Sequence, residues 1–143
     1  MEKNNVLELM KTRRSIRKFK PDMIPNEIIE KIVTAGTYAA TGMNKQSPII
    51  IAITNKEIRD RFSKLNAEIM GTKSDPFYGA PVVLIVLADK DWVNRVYDGS
   101  LVMGNLMLAA HSLGIGSCWI HRAKEEFESE EGKGTKMELI FHC

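Results

Sequence analysis

Arg13-Arg14-Ser15-Ile16-Arg17-Lys18-Phe19 carries the strongest chemical signal in this chain. Between Lys11 and Lys20 stand six basic side chains, Lys11, Arg13, Arg14, Arg17, Lys18 and Lys20, and no acidic one, although the whole chain is only +2. A local cluster in a nearly neutral protein marks a site rather than a surface-wide electrostatic strategy. Each guanidinium offers a planar fork of donors that matches phosphate oxygens two at a time, and Ser15 adds a short rotatable donor. The chemistry these residues support is anion binding, with a phosphate as the best fit. A solvated basic loop, or a patch for nucleic acid or a membrane surface, would use the same residues and stays open on composition alone.

Other kinds of reactive centre lack support. Neither GxGxxG nor GxxxxGK[ST] occurs, so neither a dinucleotide turn nor a P-loop is expected. Gly114-Ile115-Gly116 reads as a helix stop followed by a strand start. His111, His121 and His142 have no acidic or cysteine partners at ligand spacing, so no metal site is expected. Cys118 lies in an apolar run, where a free cysteine is usually a small core residue. A chain with no evident acid, base, nucleophile or metal either does not catalyse or borrows its reactivity from a cofactor.

The elements that must position the basic cluster follow from periodicity. Asn4 or Asn5 can cap a short helix bearing Val6, Leu9 and Met10, with Glu8 in its first turn. Pro25 suits the first turn of a helix running to about Ala40, with Ile28, Ile29, Ile32, Val33 and Ala35 at helical spacing. Thr41–Pro48 reads as a polar loop. Ile49–Thr54 is a continuous, mostly β-branched run, expected as a strand buried on both faces. Asn55 can cap a long helix whose apolar stripe is Ile58, Phe62, Leu65 and Ile69. Val82–Ala88 and Ile115–Ile120 are expected as the second and third strands, either side of a helix over about Trp92–Leu113. That helix is apolar around its circumference, which places it in a core or an interface. A final acidic helix is expected near Lys124. Double-sided strands among long helices give an α+β fold, a three-layer α/β/α sandwich with a central sheet covered by helices on both faces.

With 143 residues, 44% hydrophobic and 27% charged, the chain has the composition of one soluble globular domain. Two cysteines form no disulfide framework, the N-terminus shows no secretory signal, and the apolar Gly99–Ala110 stretch is too short to span a bilayer. A cytoplasmic location is therefore expected.

Taken in order, four blocks resemble the nitroreductase family, the FMN-dependent oxidoreductases. They are Arg13–Phe19; the helix end and loop Ala39-Ala40-Thr41-Gly42-Met43-Asn44-Lys45-Gln46; the first two strands; and Asp98-Gly99-Ser100 with Asn105-Leu106, Ala109-Ala110 and Leu113–Ile120. The resemblance spans about residues 4–131. It implies FMN as cofactor, with Arg13, Arg14, Ser15 and Arg17 on its phosphate, ribityl chain and N1/O2 side. It places Asn66 against the ring edge, and Trp119, Ile120 and His121 along one face or edge of the isoalloxazine. Thr41, Asn44 and Gln46 would come from the other subunit of a homodimer with shared flavin sites.

The resemblance also implies NADH or NADPH as donor, and a small-molecule acceptor such as a nitroaromatic or quinone, reduced in a ping-pong scheme. Nucleic acid and membrane are not expected as partners. A specialised flavin reaction such as reductive dehalogenation, or a non-catalytic FMN- or phosphate-binding protein, is the alternative. Two departures stand out. Ser47-Pro48 replaces the family's Pro-Trp, and Ala40 stands where Pro is common. After Glu130-Glu131-Gly132-Lys133 the family's further helix, strand and basic tail do not follow. Residues 1–133 are accordingly expected to form a C-terminally incomplete FMN-binding domain, and residues 134–143 a divergent tail, either poorly anchored or adding a short irregular strand.

Overall fold

The structure is a computed structural model that describes residues 5–128 and 137–142. Helix α1 (Asn5–Thr12) leads into the basic segment, and α2 (Asn26–Thr37) follows. Strand β1 (Ile49–Ile53), α3 (Lys56–Met70), β2 (Val83–Asp89), α4 (Arg95–Ser112), α5 (Ala123–Glu128) and β3 (Met137–His142) complete the described elements. The strands form an antiparallel sheet in the order β1-β2-β3.

β2 is the centre of the molecule, and its period of two separates two cores. Leu84 and Val86 face Ile29 and Ile32 of α2 and Val102, Met103, Leu106 and Ala110 of α4. Val83, Ile85 and Leu87 face the other way, towards Ile53, Phe77, Cys118 and Ile120, with Phe62 of α3 packed against them. Helices on one face and α3 with its loops on the other make the three-layer α+β sandwich.

Caps follow their residue types. Asn55 accepts the Ile58 N–H at 3.0 Å to open α3, and Gly71 closes it in the left-handed conformation at φ 72°. Pro25 falls one residue before α2, not in its first turn, and its carbonyl accepts the N–H groups of Ile28 and Ile29. α2 stops at Thr37 rather than Ala40, and α4 starts at Arg95 rather than Trp92.

Three expectations need correction. β1 is not buried on both faces: Ile49 and Ile51 are exposed, because it is an edge strand of the described sheet and nothing among the described residues covers that corner. Ile115–Ile120 is not a regular strand; it is held to Ser15 by one isolated parallel bridge. Gly116 and Ser117 put small residues in the middle of the segment, which weakens it as a strand. α3 turns Arg59, Ser63, Asn66 and Ala67 inward and leaves Ile58 and Ile69 exposed, so its buried face is largely polar. α4 buries one face in this chain and leaves Tyr97 and Leu101 exposed, so its expected place in a core holds for one side and the interface alternative stays open for the other.

Met137–His142 pairs with β2 in antiparallel register, with an irregularity between Val86 and Leu87. The proposed Asn4 cap lies outside the described residues, as does Cys143.

Candidate functional site

Thr12 begins the site by tying α1 to α4. Its hydroxyl donates to the Glu8 carbonyl at 2.6 Å and therefore accepts from His111 Nε2 at 3.0 Å. The chain then turns extended. Ile16 N–H donates to the Ser117 carbonyl at 2.9 Å, which lays the basic segment alongside residues 115–120. The approach is close: a Cβ on Gly116 would stand 3.0 Å from Ile16 Cγ1, so a larger residue there would push the two segments apart. Two blocks a hundred residues apart in sequence thus become neighbours.

The basic side chains are differently placed. Arg13 is half-buried, and its Nη1 is buried without a hydrogen-bond partner. A buried guanidinium nitrogen left unpaired is costly, and an anion is its natural complement. Arg14 folds back to donate from Nη1 to the carbonyls of Lys11 at 2.6 Å and Arg13 at 2.8 Å, capping the end of α1. Ser15 and Arg17 are exposed.

Beyond the bridge, Trp119 and His121 stack with ring centroids 6.1 Å apart at 23°. Trp119 also packs on the first core, while the Ile120 side chain belongs to the second. Asn66 is fully buried. Its amide donates to the His121 carbonyl at 3.1 Å and to the Glu126 carboxylate, and its oxygen accepts from Arg122 Nε at 3.1 Å. This polar cluster fastens residues 121–126 to α3. Arg122 and Glu126 were not singled out in the sequence; the inward i, i+4, i+7 spacing of Arg59, Ser63 and Asn66 was the available signal.

Thr41, Asn44 and Gln46 lie together on a loop that begins with the 3₁₀ turn Gly42–Asn44. Gln46 Nε2 donates to Asn44 Oδ1 at 3.0 Å, and the Gln46 N–H to Thr41 Oγ1 at 3.0 Å. Among the described residues no hydrogen bond or ion pair joins this loop to residues 13–17. Among the expected residues, 13–17 are bridged at Ser15 to Ser117 in the run that leads to 119–121, Asn66 holds His121, and 41–46 form a separate group. No group of His, Cys, Asp and Glu able to hold a metal occurs among the described residues. Nor is any described helix long and apolar enough to cross a membrane.

A cationic segment thus runs beside residues 115–120, which lead to the stacked Trp119 and His121, on a three-layer α+β frame. The comparisons with known proteins make the class specific. The Nitroreductase family model matches residues 10–127, and the chain belongs to that family. A protein of Methanothermobacter thermautotrophicus, provisionally named NADH dehydrogenase/NAD(P)H nitroreductase, is 33% identical over 126 residues, covering 83% of this chain. The chain spans 62% of that relative's length, and 66% of a similarly named protein from Archaeoglobus fulgidus. A nitroreductase from Bacteroides fragilis, solved with bound FMN, superposes with a TM-score of 0.86 at 27% identity, over 98% of this chain and 86% of that one.

Proposed function

We propose that this chain binds FMN and uses it as an oxidoreductase, taking hydride equivalents from NADH or NADPH and passing them to a small acceptor such as a nitroaromatic or a quinone. The observation that carries the reading is the unpaired, buried Arg13 Nη1 in a cationic segment bridged through Ser15 to Ser117, two residues before the stacked pair Trp119 and His121. FMN matches it in chemistry: one phosphate for the guanidinium forks and one aromatic ring system for the stacked edge. It also fits the FMN-bound Bacteroides fragilis nitroreductase and a relative named FMN reductase (NADPH) from Bacillus subtilis, which is 23% identical over 142 residues.

In this reading Arg13, Arg17 and Ser15 hold the phosphate and ribityl chain. Arg14 shares its fork between the end of α1 and the N1/O2 side of the ring, where a cation favours the reduced flavin. Trp119 and His121 border the ring, with the Ile120 backbone between them. Asn66, being buried, supports that border from behind by holding the His121 carbonyl. The flavin supplies the redox chemistry when bound, and the side chains bind it, orient it and set its electrostatics. A ping-pong scheme, with donor and acceptor taking turns at one open face, suits a site with no dedicated acid or base.

A second copy of the chain completes the site. α1 buries none of its residues, leaving Val6, Leu7 and Met10 exposed, and Tyr38, Met43, Val93, Tyr97 and Leu101 are exposed as well. So much uncovered apolar surface is the mark of an interface. A homodimer would cover it and bring Thr41, Asn44 and Gln46 to the partner's flavin. A cytoplasmic location agrees with the lack of a disulfide framework.

Anaerobic mixing of the FMN-loaded protein with NADH or NADPH tests the reading. The flavin absorbance should bleach and return when a quinone or nitroaromatic is added. Persistent absorbance with both nucleotides would reduce the chain to a flavin-binding protein.

A further inference from the structure

The 41–46 loop holds a shape that its own residues disfavour. Met43, Asn44 and Gln46 all have left-handed backbones, with φ of 53°, 54° and 54°. Side chains with a Cβ adopt that region at a cost, which surrounding contacts must offset. Bonds within the loop set its shape: Asn44 N–H to the Thr41 carbonyl at 3.1 Å, Lys45 N–H to the Gly42 carbonyl at 3.0 Å, and Gln46 N–H to Thr41 Oγ1 at 3.0 Å. None of them fixes where the loop stands on the molecule.

Placement comes from the first turn of α4. Gly42 N–H donates to Asp98 Oδ1 at 2.8 Å, and Trp92 Nε1 donates to Asp98 Oδ2 at 2.8 Å. Asp98 is 2% exposed, a carboxylate buried between two donors. Lys45 Nζ lies 5.8 Å from the centroid of the Trp92 ring, so the indole meets the loop a second time. A Cβ on Gly42 would come 2.4 Å from Asn94 Nδ2, which shows how closely the loop backbone sits on the start of α4.

We propose that Asp98 is the positioning residue of this loop, holding Thr41, Asn44 and Gln46 where they can meet a flavin. The idea rests on the flavin reading above, since it assigns the loop that task. Its chemistry calls for a carboxylate and not an amide. Both groups facing Asp98 are N–H donors, and only a carboxylate offers each an acceptor. Asn at this position would satisfy one and turn its own NH₂ against the other. Removing the indole N–H relieves that conflict, because the Asn oxygen is then free to face Gly42.

The test measures amide hydrogen exchange across residues 41–46 and FMN affinity on the same full-length variants. Asp98→Asn should speed exchange at Gly42 and weaken FMN binding, each by about tenfold or more. Adding Trp92→Phe should restore most of both, a reversal that general destabilisation cannot produce. Val102→Ala, a core change that lowers Tm, should leave FMN affinity unchanged.

Wild-type exchange at Gly42 in Asp98→Asn overturns the proposal, as does a double variant worse than Asp98→Asn. If Asp98→Asn does not fold, Asp98→Ala with Trp92→Phe decides: about tenfold faster exchange at Gly42 supports the anchor, and an unchanged rate overturns it. Should the wild-type chain bind no FMN while Gly42 exchange still follows Asp98, the anchor stands and the flavin reading falls.

Discussion

Arg13, Arg14 and Arg17 belong to one cluster, yet the structure gives them different work. Arg17 is exposed, and in the flavin reading its only task is to meet the phosphate, so Arg17→Ala removes that contact and little else. It should cost FMN binding about 1.5–3 kcal/mol, roughly tenfold to a hundredfold in affinity, with Tm of the flavin-free chain unchanged. Lys should rescue it only in part, because a point charge does not reproduce the fork. Arg14→Ala should also loosen α1, since its Nη1 holds the carbonyls of Lys11 and Arg13. Fluorescence titration with FMN, paired with thermal melts, separates the two effects. The cluster itself was legible because charge and spacing are local. The burial of Asn66 was not, because its partners His121, Glu126 and Arg122 lie on a segment 55 to 60 residues away.

At the scale of elements, α3 shows why apolar periodicity misleads. Ile58 and Ile69 lie outside, while Arg59 turns in to meet Asp75 at 2.5 Å and the Ala80 carbonyl at 2.8 Å. Its guanidinium also lies 5.3 Å from the centre of the Phe77 ring. Burial pushes the Asp75 carboxyl up, but hydrogen bonds from Arg59, Ser63 and the N–H groups of Phe77 and Gly79 outweigh it, leaving the pKa below its usual value. A folded pKa below the unfolded one gives stability that is fully present at neutral pH. That stability fades as pH falls through the unfolded value of about 3.9 towards the folded one.

Asp75→Ala should therefore cost about 1.5–3 kcal/mol at pH 7, nearer the low end because the carboxylate is partly exposed. Urea melts from pH 7 down to pH 2 should show the variant losing less stability than wild type on the acid side. Parallel curves would assign the clamp no share in acid unfolding. β2 was legible as a double-sided strand because six of its seven residues are buried within this chain. β1 was not, since the same apolar composition cannot reveal whether a neighbour covers it.

Among the described residues, several large apolar side chains stay exposed in the single chain, and the proposed dimer would cover them. Leu101 is 51% exposed on α4, whereas Leu106, one and a half turns on, is wholly buried. Leu101→Glu should leave the fold intact and shift sedimentation from dimer to monomer, with FMN affinity falling alongside. Leu106→Glu should unfold the chain, because it places a charge between α2, α4 and β2. Sedimentation and circular dichroism on the two variants test this contrast, and a Leu101→Glu protein that stays dimeric would move the interface elsewhere.

The three-layer arrangement itself was readable from the order of helices and strands. The place of Met137–His142 beside β2 was less so, because β pairing across such a distance leaves only a weak local trace.

Flavin content tests the central claim most directly. The purified chain is saturated with FMN, freed of excess by gel filtration, and its cofactor is then released by heat and chromatographed. One FMN per subunit, retained by the wild type and largely lost by Arg13→Ala, is the expected result. A chain that retains no flavin, or retains FAD in preference to FMN, would contradict the account.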